Sequence, residues 1–142
     1  MKRYIALDVG SKTIGIAVSD LLGLTAQGIK TIKRTSAKED LKAIGELITN
    51  YEVDTFVIGL PKHMNGDEGE SCKMVRNFAG KITAAYPEIN IKFWDERLST
   101  VAAEKSLIEA DVRRSKRKQV IDKMAAVYIL QGFLDSLKIG GF

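Results

Sequence analysis

The sequence predicts an α/β domain: a mixed five-stranded sheet, made of a three-strand antiparallel meander and two parallel strands, flanked by helices. Two observations point there. Strand-like and helix-like segments follow one another in the order β-β-β-α-β-α-β-α-α, the alternation of a sheet covered by helices. In addition, "TFVIGLP" at 55–61 is short, wholly apolar and stopped by Pro61, as a central parallel strand is. With 142 residues and no internal repeat or linker, residues 1–142 read as a single domain.

Each element has a local reason. Residues 3–9 form the first strand, Gly10-Ser11-Lys12 a tight turn, and 13–19 (TIGIAVS) a second strand, together an antiparallel hairpin. Residues 27–33 (QGIKTIK) alternate apolar and polar, the pattern of a half-exposed edge strand. Ser36, with Glu39 three residues on, is a capping box opening a helix whose apolar positions Leu41, Ile44, Leu47, Ile48 and Tyr51 keep the helical period. After strand 55–61 and a loop carrying the turn signal Asn65-Gly66, a second helix places Met74, Val75, Phe78, Ile82 and Ala85 on one face and ends before Pro87. "INIKFW" at 89–94 is the fifth strand and runs into "DERLST". Ser99 or Thr100 caps a helix over about 100–110, "RRSKRK" forms a basic loop, and a last helix covers about 118–137.

Composition narrows the function. The single cysteine, Cys72, cannot close an internal disulfide, which suits a reducing, cytoplasmic compartment. Asp8 interrupts the N-terminal apolar run, so no signal peptide is expected, and no apolar stretch approaches the ~20 residues that span a bilayer. The net charge of +4 leans towards acidic partners. Zinc-ligand spacing is absent, and with His63 the sole histidine a Ser/His/Asp or Cys/His hydrolase finds little support.

The carboxylates carry more information. Asp8 sits near the end of strand one, inside an apolar run where a charge is costly unless neutralised or exposed at a strand end. Asp95 and Glu96 end strand five, and spacing alone does not choose between them. In the last helix Lys123, Gln131, Asp135 and Lys138 fall in one solvent-facing sector roughly 120° wide, at about 100° per residue. Asp122 lies roughly 165° from the middle of that sector, with Ala125, Ala126, Ile129 and Phe133, on the sheet side. Ligands of such folds bind at the carboxyl ends of parallel strands, so three acids converge where a site is expected. Taken singly, each acid also fits an ordinary role: a helix-dipole partner at Asp122, a turn-bonded strand end at Asp8, an exposed charge at Glu96. Taken together, three carboxylate pairs at 4 Å would repel by ~10 kcal/mol at an effective dielectric of 20. Protons or a divalent cation must relieve that, and oxygen-only ligands favour Mg²⁺ or Mn²⁺. Ions of this kind promote phosphodiester cleavage.

The motifs "ALDVGSKTIGIAVSD", "GLPKHMNGDEG", "WDERLST" and "VIDKMAA", in this order and spacing, resemble the YqgF (RuvX) family, the likeness running from Met1 to about Leu137. The resemblance implies a fold similar to ribonuclease H and the RuvC resolvase. It also implies activity as a Holliday-junction resolvase or as a nuclease maturing the 5′ end of pre-16S ribosomal RNA. It implies catalytic, metal-holding acids at Asp8, Glu96 and Asp122, and so prefers Glu96 over Asp95. RuvC-like resolvases usually carry a further acid one turn after the helix aspartate, where this chain has Ala125, which leaves one bound ion or two open. Asp95 is a further candidate contributor, although adjacent strand residues point to opposite faces.

Residues 113–118 put five positive charges in six positions at a helix start, where the macrodipole opposes them. Arg113, Arg114, Lys116, Arg117 and Lys118 are therefore candidate phosphate contacts, with a solvated loop as the plain alternative. Arg97 can hold a scissile phosphate through its forked donors or form a surface ion pair, and Lys12 can contact phosphate less specifically. His63 reads as a solvated loop residue and Cys72 as part of a helix face. The expected partner is nucleic acid, structured RNA or branched DNA, bound by a monomer or a homodimer and away from any membrane. Two other classes stand beside the nuclease. "DVGSK" also resembles the phosphate loop of the actin and sugar-kinase ATPases, which need a second such domain, and a non-catalytic nucleic-acid-binding module would share the basic charge.

Overall fold

The computed structural model describes residues 3–98 and 114–140, the side chains of 114–123, 139 and 140 excepted. Strands β1 (Arg3–Val9), β2 (Thr13–Ser19) and β3 (Ala26–Lys33) form the antiparallel meander; β4 (Val53–Leu60) and β5 (Asn90–Asp95) add in parallel beside β1. The strand order is β3-β2-β1-β4-β5. Helices α1 (Ala37–Tyr51) and α2 (Glu70–Ala85) follow β3 and β4, and a long α3 (Arg114–Gly140) follows β5 and a 3₁₀ turn (Glu96–Leu98). Ser36 caps α1 as expected, its hydroxyl accepting from the Glu39 amide at 3.2 Å.

Alternation along the strands sorts side chains onto two unlike faces. Ile5, Leu7 and Val9 of β1, with Ile14, Ile16, Phe56 and Ile58, pack large side chains against Ile44 and Leu47 of α1 and Val75, Phe78 and Ile82 of α2. The opposite face carries small residues, Ala6, Ala17 and Val57, against Ala125, Ala126, Ile129, Leu130 and Leu134 of α3. That thin layer lets α3 lie close. A Cβ on Gly132 would come within 3.0 Å of Trp94 Cζ2, and one on Gly59 within 2.6 Å of Ile129 Cδ1. Phe133 closes the packing edge-on against Tyr4 and Trp94. Asp8 has the parity of Ala6 and so belongs to the α3 face.

Some expectations shift. The last helix begins at Arg114, not 118, so Arg114 to Lys118 are helical and not a loop; the unfavourable dipole is borne within a helix anchored through its middle, residues 125–134. Gln131, expected on the solvent side, instead bonds the β2–β3 loop, accepting from the Ala26 amide and donating to Leu24 O. β4 starts at Val53, before the apolar run that opens at Thr55, because Arg3 pairs with Val53. Cys72 is buried in the α1/α2 core and His63 is exposed. The helix expected at 100–110, its cap at Ser99 or Thr100, and Arg113 lie outside the described residues. No helix among the described residues is long and apolar enough to cross a membrane.

Candidate active site

The site forms where parallel strands end. β1 delivers half-buried Asp8 at its penultimate position, opposite Gly15 of β2. β5 ends at Asp95, and the chain tightens at once into the 3₁₀ turn that opens with Glu96. Between them β4 presents Gly59, the residue after Ile58, whose partner on β1 is Leu7. A Cβ on Gly59 would lie 3.4 Å from the Glu96 carboxyl carbon, so the missing side chain leaves the room the carboxylate uses. Glu96 Oε1 is sealed from solvent there.

Asp8 and Glu96 share one cavity of about 420 Å³. Val9, Gly10 and Ser11 continue its wall from β1, and Pro61 closes it after β4. Glu70, Ser71 and Met74, from the first turns of α2, form the far side. Sequence reasoning misses those α2 residues, although a signal exists: a helix that follows a parallel strand starts at that strand's carboxyl end, beside the site. Asp122 lies in α3 three residues before buried Ala125 and seven before Ile129, on the same i, i+3, i+4, i+7 row. Ile129 itself packs over Gly59 beside Glu96, and seven residues of helix cover about 10 Å, so α3 carries position 122 along the axis from the place where Glu96 sits.

The donor chemistry suits a hard cation. Asp8 and Glu96 offer only oxygen, and the glycine cradle at Gly59 keeps bulk away from one of them. Among the described residues no group of three His, Cys, Asp or Glu is gathered to hold a metal; the Asp122 side chain is not among them.

The neighbouring charges divide into two sets. Arg97 binds Asp95 through Nη2 at 2.6 Å and Nε at 3.1 Å, and its Nη1 reaches Met64 O at 3.4 Å. These guanidinium hydrogen bonds hold the Asp95 carboxyl below the usual carboxylate range. Asp95 thus serves the ion pair and the 61–69 loop, while Glu96 faces the cavity. The loop is pinned again by Glu68, which takes two hydrogen bonds from Arg76, at 2.6 and 2.8 Å. Lys12 is exposed in the turn beside the cavity. Arg114, Lys116, Arg117 and Lys118 occupy the opening turns of α3, upstream of Asp122 on the same helix.

Comparison with known proteins places the chain in a family and the fold among known structures. A model of the RuvX family, described as Holliday junction resolvase, matches residues 2–136. A protein of Clostridioides difficile (strain 630) named "Putative pre-16S rRNA nuclease" is 57% identical over 133 residues, 94% of each chain. A protein of the same name from Clostridium botulinum (strain Hall) is 56% identical over 135 residues, 95% of this chain and 98% of that one. Among solved structures, RuvC of Thermus thermophilus superposes with a TM-score of 0.57 at 16% identity, covering 96% of both chains. The Fowlpox virus Holliday junction resolvase superposes at 0.52 and 15%, covering 95% and 99%. At such identities the two resolvases establish the shared fold, a RuvC-like, ribonuclease H-type sheet. The sequence match over nearly the whole length does more: this chain belongs to the RuvX (YqgF) family.

Proposed function

We propose that this protein is a divalent-metal-dependent nuclease that hydrolyses phosphodiester bonds and processes the 5′ end of pre-16S ribosomal RNA in the cytoplasm. The observation that carries the reading is the meeting of Asp8 and Glu96, 88 positions apart in sequence, on the wall of one cavity at the carboxyl ends of β1 and β5. Asp8, Glu96 and Asp122 would hold Mg²⁺ or Mn²⁺; when bound, such an ion supplies an activated water and stabilises charge on the leaving oxygen. The chain's own residues do the rest. The carboxylates fix the position of the reacting phosphate relative to the sheet edge, and Val9, Pro61 and Met74 supply the apolar part of the cavity wall around them. Lys12 and the cations of the α3 start, with Arg113, contact flanking phosphates, whereas Arg97, held by Asp95 and Met64 O, takes the ion-pair role. The names of the close relatives favour ribosomal RNA as substrate. A second reading, cleavage of four-way DNA junctions, is favoured by the description of the family.

One experiment tests both. Precursor 16S RNA and a four-way DNA junction are incubated with Mg²⁺ or Mn²⁺ and with wild type, Asp8→Asn, Glu96→Gln or Asp122→Asn protein. Cleavage of the RNA is expected from wild type alone, with all four proteins folded. Equal turnover by the three variants would end the nuclease reading, and cleavage of the junction only would transfer it to DNA.

A further inference from the structure

The turn that follows Asp8 is held from outside the hairpin. Regular pairing of β1 with β2 stops at Val9 and Ile14, leaving Gly10, Ser11 and Lys12 beyond the ladder. Gly10 N donates to Thr13 O at 2.8 Å, which closes the turn without fixing its tilt against the cavity. Arg34, the residue after β3, supplies two more bonds. Its Nη1 donates to Gly10 O at 2.9 Å and its backbone N to Lys12 O at 2.8 Å.

The guanidinium is itself immobilised. Nε donates to Asp40 Oδ2 at 3.1 Å, and the group lies 4.9 Å from the centre of the Phe78 ring. Asp40 is 3% exposed, in the first turn of α1, and its other oxygen accepts from the Thr35 amide at 3.2 Å. A carboxylate so deeply placed is tolerated only when paired, so the Arg34–Asp40 pair must be made whenever the domain is folded. The result is a rigid strut from α1 and α2 to the residues immediately after Asp8.

We propose that Arg34 is a positioning residue for the Asp8 carboxylate, setting its aim into the cavity through Gly10 and Lys12; the inference rests on the nuclease reading above. Arginine is required because one planar fork must reach a carbonyl and a carboxylate while stacking on an aromatic ring. A lysine keeps the charge beside Asp40 but is a single point donor and cannot make all three contacts. Fold stability and ion binding are therefore separable.

The test compares wild type with Arg34→Lys and Asp40→Asn, each also in an Asp8→Asn background. Mn²⁺ affinity is read by electron paramagnetic resonance of the free ion, kcat and KM on precursor RNA, and thermal stability in chelator. In Arg34→Lys, Mn²⁺ binding is expected to weaken about tenfold, the scale seen when the group supporting a metal ligand is removed. The kcat falls in parallel, KM stays within about twofold because the bond to Lys12 O comes from the residue 34 backbone and survives the change, and the melting curve stays near wild type. Asp40→Asn, which loosens the strut from its other end, shows a smaller loss of the same kind and serves if Arg34→Lys does not fold. Neither change weakens Mn²⁺ binding further once Asp8 is Asn. Wild-type Mn²⁺ affinity in a folded Arg34→Lys protein overturns the proposal, as does an undiminished loss in the Asp8→Asn background. Wild-type protein that binds Mn²⁺ but cuts neither substrate overturns the nuclease reading while the affinity comparison still decides the role of Arg34. Wild-type protein that binds no Mn²⁺ overturns both.

Discussion

Gly59 decides how closely Glu96 and α3 approach each other. A Cβ there would stand 2.6 Å from Ile129 Cδ1 and 3.2 Å from its Cγ1, so the Ile129 side chain must shift, while the 3.4 Å to the Glu96 carboxyl carbon is ordinary contact. Gly59→Ala is expected to cost ~1–3 kcal/mol as an overpacking change, and to lower cleavage as the shifted Ile129 side chain crowds the Glu96 carboxylate that shares its contact with Gly59. Ile129→Val removes the offending Cδ1, so the double variant should recover part of both losses; melting curves and rates for the four proteins check this, and strictly additive effects would count against it. A second residue-scale consequence concerns Asp95. Hydrogen bonds from Arg97 lower its folded pKa, so the ion pair stabilises the fold above the unfolded carboxylate value of about 3.9 and loses that contribution as pH falls through the lower folded value. The stability difference between wild type and Asp95→Asn should therefore be full and constant from about pH 7 to 5 and vanish in stronger acid. A difference that grows on acidification would reverse the assignment. Glu96, one residue on, is expected to matter for cleavage in a way that Asp95 does not.

At the scale of elements, α3 combines two tasks in one 27-residue helix. Its middle, residues 125–134, is an anchor, with Ala125, Ala126, Ile129, Leu130 and Leu134 buried on the sheet. Its start holds Arg114, Lys116, Arg117 and Lys118 with no acid in the first turn, the wrong sign for the macrodipole. Replacing Lys116 and Lys118 by Gln should leave thermal stability unchanged or raise it. The same change should reduce the dependence of log affinity on log salt by about 0.7–0.9 for each phosphate no longer neutralised. Filter binding across a salt series measures that slope, and an unchanged slope would return these residues to plain solvation. The same helix shows where sequence reading reaches its limit. Cations at a helix start oppose local electrostatics, so local signals favour a start near 118; only the anchoring of residues 125–134 further along makes the longer helix stable. The strands are legible because alternation and turn chemistry are local: β1 and β2 match the expected residues one for one. The Asp8 and Glu96 walls of the cavity are legible from strand ends and from family motifs. Glu70, Ser71 and Met74 are not, since their place depends on how α2 returns over the sheet. Nor is the Arg34–Asp40 strut, because a cap-region acid six residues from an arginine has no spacing signature in sequence.

For the molecule as a whole, placing anionic oxygens together works against stability and is relieved by a cation. Asp8 and Glu96 line one cavity, while Glu70 on its rim is exposed and paired with Lys73 at 3.4 Å. In chelator, the native state therefore carries repulsion that the unfolded chain, with these residues far apart, does not. Asp8→Asn should raise the chelator melting temperature by a few degrees, at about 2–4 °C per kcal/mol for a domain somewhat larger than this one and more for smaller domains. Adding Mn²⁺ should stabilise wild type as RT ln(1 + [Mn²⁺]/Kd), about 2.7 kcal/mol at a hundred times Kd. In Asp8→Asn that increment should shrink to a small remnant, so the order of stabilities reverses between chelator and saturating ion. The reversal cannot arise from a mere loss of packing, which would lower both curves alike. Parallel shifts of wild type and variant with Mn²⁺ would instead locate the ion elsewhere on the surface, and with it the hydrolytic centre.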